Sequence, residues 1–190
     1  MKNSRIVVTM RRLSAFAFAV AICALGNAQD LDTHVKDGRI LYQHVFDGII
    51  ENPLETIENW PGVDNVRDLN GAFFGDLTFR GADVIRVSPE LGLTWGNTMI
   101  FLRSADTKAQ LQIEIRDGRY RVTASEFLAH HSSKTGPFAG AVDPIELYCI
   151  KKNGDTRPKQ WNQTKLVYDY LLNELCSGKA KPIVDPTDDW

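Results

Sequence analysis

The sequence predicts an α+β domain, an antiparallel sheet with helices packed on one face. Three observations carry this. Runs of alternating apolar and polar residues follow one another through the middle of the chain with no helical pattern between them. One pair of runs, "QLQIEIRDGRYRVTASEF", is joined by Asp117-Gly118, a two-residue turn that supplies the positive φ a type I′ hairpin needs. Near the C-terminus, Val167, Tyr168, Leu171, Leu172 and Leu175 form a wide apolar stripe at helical spacing, which requires a sheet to lie on.

The first 28 of the 190 residues read as an export signal. Lys2, Arg5, Arg11 and Arg12 make a basic leader, Leu13 to Leu25 is almost wholly apolar, and Gly26-Asn27-Ala28 puts small residues at a cleavage position. The apolar run is shorter than a membrane span, and Ile22 before Cys23 departs from a lipidation signal. The expected product is a single domain over 29–177 with an extended tail over 178–190, periplasmic or secreted, with no transmembrane span. Loss of the leader removes four of the 22 basic residues and none of the 24 acidic ones, leaving 18 against 24, a net charge of −6. That balance argues against nucleic acid, whose binders present a basic face to phosphates.

Taken in order, "GRILYQHVFDGII" is the first long strand, with Ile40, Tyr42 and His44 on one face and a bulge or bend expected where Leu41, Val45 and Ile49 break alternation. Asn52-Pro53 starts a short helix, Asn52 as N-cap and Pro53 at the first helical position; Leu54 and Ile57 face inward, Trp60 joins the core and Pro61 stops the run. "VRDL" and "AFFGDLTFRGADVI" read as strand, with Gly71, Gly75 and Gly81 at turns or bulges. "NTMIFLRSADTKAQLQIEI" reads as a hairpin turning near Ser104 to Lys108.

The Asp117-Gly118 turn sets the pairing of its hairpin. Arg116 meets Arg119, and Ile115, Glu114, Ile113, Gln112 and Leu111 then meet Tyr120, Arg121, Val122, Thr123 and Ala124. One face is therefore Leu111, Ile113, Ile115, Tyr120, Val122 and Ala124, and it is buried. The other carries Gln112, Glu114, Arg116, Arg119, Arg121 and Thr123, and it meets water. "LAHHSSKTGPFAGAVDP" follows as a long loop, "IELYCI" as a further strand, and a helix runs from Asn162 to about Cys176, ended by Gly178.

This layout resembles the exported, Bacteroidota-type domain of unknown function with a TATA-binding-protein-like fold. The likeness rests on the strand around Tyr42, on Leu54 and Trp60 at the two ends of the short helix, and on "IEIRDGRYRVTASEF". The first helix is shorter than that family's, and the loop from His130 to Pro144 has no counterpart in it. The resemblance implies a curved antiparallel sheet with helices on one face, in an envelope protein of unassigned activity. It does not imply DNA binding, because a fold by itself says little about function.

The chemistry legible in the residues is sparse. Adjacent His130 and His131 point to opposite sides of an extended backbone and have no HExxH or cysteine cluster to complete a metal site. Glu126, four residues before His130, could pair with it as acid and base. There is no GxSxG nucleophile turn, and no catalytic residue, cofactor or metal is expected. Cys149 and Cys176 allow either a disulfide, worth about 2–4 kcal/mol in an oxidising compartment, or two buried thiols. Contacts to a partner or ligand are expected at Trp95, between glycines in "GLTWGN", at Arg116, Arg119 and Arg121, and at His130 and His131.

The leading expectation is thus a non-catalytic envelope protein that binds a partner or small ligand through the open sheet face or the His130 to Pro144 loop. A rival is an envelope hydrolase using Glu126, His130 and His131, which would bring some of these and Asp143 together in a cleft. A third is a protein inhibitor or assembly subunit, which would show an exposed apolar patch.

Overall fold

The computed structural model describes residues 32–132 and 138–177; the signal segment and the tail lie outside them. Its elements are β1 (Thr33–Lys36), β2 (Arg39–Asp47), α1 (Pro53–Glu58), β3 (Val63–Leu69), β4 (Ala72–Phe79), α2 (Gly81–Val87), α3 (Ile100–Arg103), β5 (Asp106–Arg116), β6 (Arg119–His130), β7 (Val142–Pro144), α4 (Glu146–Cys149) and α5 (Pro158–Cys176). The seven strands make one sheet in the order β1-β2-β6-β5-β4-β3. Every pairing is antiparallel. β7 lies on the same edge of β6 as β2, pairing with Leu128 to His130 where β2 pairs with Arg119 to Ala124. The fold class is α+β, as the alternation of the strands predicts.

Two-residue turns set most of the register. Asp117 and Gly118 have φ of 48° and 73°, and Arg116 opposite Arg119 begins the ladder read from the sequence, continuing unbroken to Leu111 opposite Ala124. Asp37-Gly38 joins β1 to β2 and Asn70-Gly71 joins β3 to β4 in the same way, with all four φ positive. Beyond Gln110 the β5–β6 pairing shifts, so that Glu126 and Phe127 together oppose Ala109. The extra residue resets the phase of β6: Tyr120, Val122 and Ala124 point inward before it, Phe127 and Ala129 after it.

The inner face is a continuous apolar layer. Ile40, Tyr42, Leu77, Leu111, Ile113, Val122, Ala124 and Phe127 are buried there, as are Val167, Tyr168, Leu171, Leu172 and Leu175 of α5. Tyr168 stacks on Phe127 with centroids 4.9 Å apart and approaches Phe79 at 6.4 Å. Its hydroxyl lies 3.3 Å from Thr107 Oγ1, so the buried polar tip is satisfied. Trp60, after α1, is buried and tilts against Tyr120.

Several elements differ from the sequence reading. "GADVIRV" is helical, not strand: Asp83 accepts the Arg80 N–H at 2.8 Å, and Val84 and Val87 are buried three residues apart, a helical period. No hairpin turns near Ser104 to Lys108; Ile100–Arg103 is a helical turn and Asp106–Arg116 a single strand. "IELYCI" is also helical. Strand alternation would bury Leu147, which is 61% exposed, whereas Ile145 and Cys149, four apart, are fully buried.

Smaller differences concern strand and helix ends. β2 pairs with β6 without a bulge and buries Ile40 and Tyr42 on one face. Leu54 is largely exposed, so α1 buries Ile57 alone, and Asn52 caps it from a left-handed conformation with no side-chain bond to the helix. β6 and β7 extend into what reads as loop at either end of His130 to Pro144. α5 starts at Pro158, one turn before Asn162.

Candidate functional site

Opposite the apolar layer, the alternate side chains of the same strands build a polar surface. Gln43 and Val45 of β2, Arg119 and Arg121 of β6, and Lys108, Gln110 and Arg116 of β5 are exposed; Gln112, Glu114 and Thr123 are half-buried by their neighbours. Gln43 donates to Thr123 Oγ1 at 3.2 Å, and Gln110 donates to Asp76 on β4 at 2.7 Å. With Asn65, which donates to the other oxygen of Asp76 at 2.7 Å, these bonds hold that carboxyl below its usual range.

At the hairpin end this surface dips into an open hollow of about 370 Å³ lined by Val45, Glu114, Arg116, Asp117, Arg119 and Arg121. Two of its arginines are spoken for. Arg121 places Nε 2.7 Å from Glu114 Oε2 and brings its Nη2 to the same oxygen. Arg119 reaches Asp47 at 3.1 Å, a pair in which both side chains are mostly exposed and which therefore contributes little. Arg116, directly across the ladder from Arg119, has no partner among the described residues.

The histidines fall in a different place, at the far end of β6. His131 is buried and stacks on Phe138 at 5.1 Å. Its Nε2 lies 3.2 Å from Tyr148 Oη, and Tyr148 donates to Asp143 Oδ2 at 2.7 Å. Burial, then the bond to Asp143, pushes the Tyr148 hydroxyl up to about 12, so it remains a proton donor at neutral pH. His131 and Asp143 are therefore bridged by Tyr148, a residue sequence reasoning passed over. His130 stays outside this chain, its Nε2 buried with no partner among the described residues. Glu126 is exposed at the bulge and joins neither histidine through any bond. Among the described residues no three of His, Cys, Asp and Glu converge to hold a metal ion.

Trp95 is 63% exposed in the loop before α3, and the Arg103 guanidinium lies 4.0 Å from its ring centroid. Gln163 of α5 steadies this loop, accepting the Met99 N–H and donating to the Asn97 carbonyl, both at 2.9 Å.

The cysteines are two free buried thiols, not a disulfide. Cys149 packs against Thr164 with Sγ 3.2 Å from Oγ1, while Cys176 ends α5 beside Tyr120, whose hydroxyl donates to its carbonyl at 2.7 Å. Cys176 lies twelve positions along the helix from Thr164, roughly 18 Å of rise, far beyond the reach of an S–S bond. Burial raises both thiols, Cys149 to about 11, which leaves neither as a thiolate nucleophile.

One constellation escaped the sequence altogether. His44 Nδ1 lies 2.8 Å from Asp32 Oδ2; Asn173 donates to the same oxygen at 3.3 Å and accepts the Tyr42 hydroxyl at 3.1 Å. The participants are up to 141 residues apart, so only the docking of α5 against β1 and β2 assembles them. Among the described residues no bond links a serine, threonine or cysteine side chain to Asp32 or His44.

No family model matches the chain, and no curated protein matches it. Two solved structures align with it. One is a TBP-like protein from Parabacteroides distasonis ATCC 8503, with TM-score 0.46 and 18% identity, covering 79% of this chain and 98% of that one. The other is a DUF4468 family protein from Bacteroides ovatus ATCC 8483, with TM-score 0.45 and 12% identity, covering 82% of this chain and 94% of that one.

Proposed function

We propose that this protein is an exported, non-catalytic binding module of the cell envelope, and that it engages a partner or small ligand through the outer face of its sheet. The observation that carries this reading is the two-sidedness of the sheet. Its inner residues are consumed by α5 and the core, while the outer residues Gln43, Lys108, Gln110, Arg116, Arg119 and Arg121 are left exposed. Such a surface offers donors and acceptors on a rigid, paired backbone, which lowers the entropic cost of recognition.

The non-catalytic part of the reading is supported by how the titratable groups are arranged. His131, Tyr148 and Asp143 form a polar chain with His131 buried, Glu126 stands apart from it, and the thiols are held protonated. Export rests on the N-terminal sequence pattern. No helix among the described residues is long and apolar enough to cross a membrane.

The test is affinity capture from envelope extracts with the purified chain, run beside Thr123→Arg on the outer face and Lys152→Glu in the exposed turn before α5. The reading expects a component held by the wild type and by Lys152→Glu and lost with Thr123→Arg. Equal capture by all three would refute it.

A further inference from the structure

We infer that the Arg116–Arg119 pair at the hairpin end of the outer face is a carboxylate-binding subsite. The inference deepens the outer-face reading and rests on it. The local design of the sheet carries the argument. Across β2, β6 and β5 the outer face sets arginines against carboxylates: Asp47 opposite Arg119, and Arg121 opposite Glu114. In the second row each charge has its mate, and Glu114 takes two contacts from one guanidinium.

The outermost row is different. It reads Asp47, Arg119, Arg116, one carboxylate to two guanidinium groups. Like charges directly opposite on neighbouring strands repel, and these two stand across a tight turn that holds them together. Asp47 is 91% exposed and on the far side of Arg119, so it gives Arg116 nothing. An incoming carboxylate between the two guanidinium groups would complete the alternation that the adjacent row already shows. Planar guanidinium matches planar carboxylate in two parallel bonds.

The hollow gives that group a floor and walls. Val45, 52% exposed, supplies an apolar surface for the carbon adjoining the carboxylate, and Glu114 is already neutralised by Arg121 and so does not repel it. Asp117 completes the lining at the turn.

The experiment is a titration of the isotopically labelled chain with glutarate, followed by amide shifts, with inorganic phosphate at matched ionic strength as the second arm. Saturable shifts confined to Arg116 through Arg121, about tenfold weaker in Arg116→Gln and unchanged in Arg39→Gln at the opposite end of β2, support the subsite. Phosphate binding as tightly as glutarate would overturn it in favour of general anion attraction. Shifts lost equally in Arg39→Gln, or no saturable shift, would also overturn it. These outcomes leave the envelope capture by the outer face as a separate result, so failure of the subsite and failure of the outer-face reading are told apart.

Discussion

Glu126 sits at φ +56° in the middle of a long strand, a conformation that costs a non-glycine residue about 1–2 kcal/mol. It is tolerated because the bulge it creates turns Phe127 inward, and Phe127 is fully buried against Tyr168. Replacing Glu126 by Gly keeps the bulge and removes the strain. A gain of about 0.5–1 kcal/mol is expected after the entropy of glycine is set against it, measured as a higher denaturant midpoint at unchanged slope. Asp169 shows the opposite economy. Burial raises its carboxyl while the Thr33 N–H, 2.6 Å from Oδ1, pulls the other way. The net direction is up, so the folded state holds its proton more tightly than the unfolded chain, and stability falls as pH climbs from the unfolded carboxylate value through the folded one. Asp169→Asn has no such proton. Its stability relative to wild type should match at low pH and rise through that window to a plateau, as read by melting temperature across pH. Neither residue was conspicuous in the sequence, because an αL glutamate and a buried aspartate look like any other acid until pairing and docking are known.

At the scale of elements, legibility followed how local the determining interactions are. Asp117-Gly118 fixes a turn type, the turn fixes the register, and six cross-strand pairs follow without help from the rest of the chain. The same logic was available at Asp37-Gly38 and Asn70-Gly71. Elements stabilised from elsewhere were misread. "ADVIRV" is rich in β-branched residues, yet it is helical, with Asp83 accepting the Arg80 N–H at its start, Val84 and Val87 buried, and Arg86 reaching Glu174 of α5. A Cβ on Gly81 would stand 2.5 Å from the Arg103 carbonyl oxygen, a backbone atom that cannot swing aside. Gly81→Ala is accordingly expected to cost about 1–3 kcal/mol, seen in equilibrium unfolding. "IELYCI" likewise reads as a strand but is helical, and its Glu146 accepts the Ile40 N–H at 2.9 Å, 106 residues away. The candidate site divides the same way. The arginine surface follows from hairpin register and was readable, whereas the Asp32–His44–Asn173 and His131–Tyr148–Asp143 chains need tertiary contacts and were not.

For the molecule as a whole, the strands described carry two different jobs on alternate residues. The inner set is sealed under α5 and supplies the cohesion; the outer set is left to water, its polarity graded from the amide-rich middle to the arginine-rich hairpin end. This division makes neighbouring residues respond in opposite ways to the same substitution. Val122 is fully buried and Thr123 faces outward beside Gln43 and Gln112. The most direct test is equilibrium unfolding of Val122→Arg beside Thr123→Arg. Val122 stands in the buried layer, across the ladder from Ile113 and His44, so a guanidinium forced into its place by Val122→Arg should abolish the cooperative transition or lower stability by more than about 3 kcal/mol. Thr123→Arg should stay within about 1 kcal/mol of wild type. Equal losses in the two variants, or a larger loss in Thr123→Arg, would contradict a sheet with one sealed and one open face.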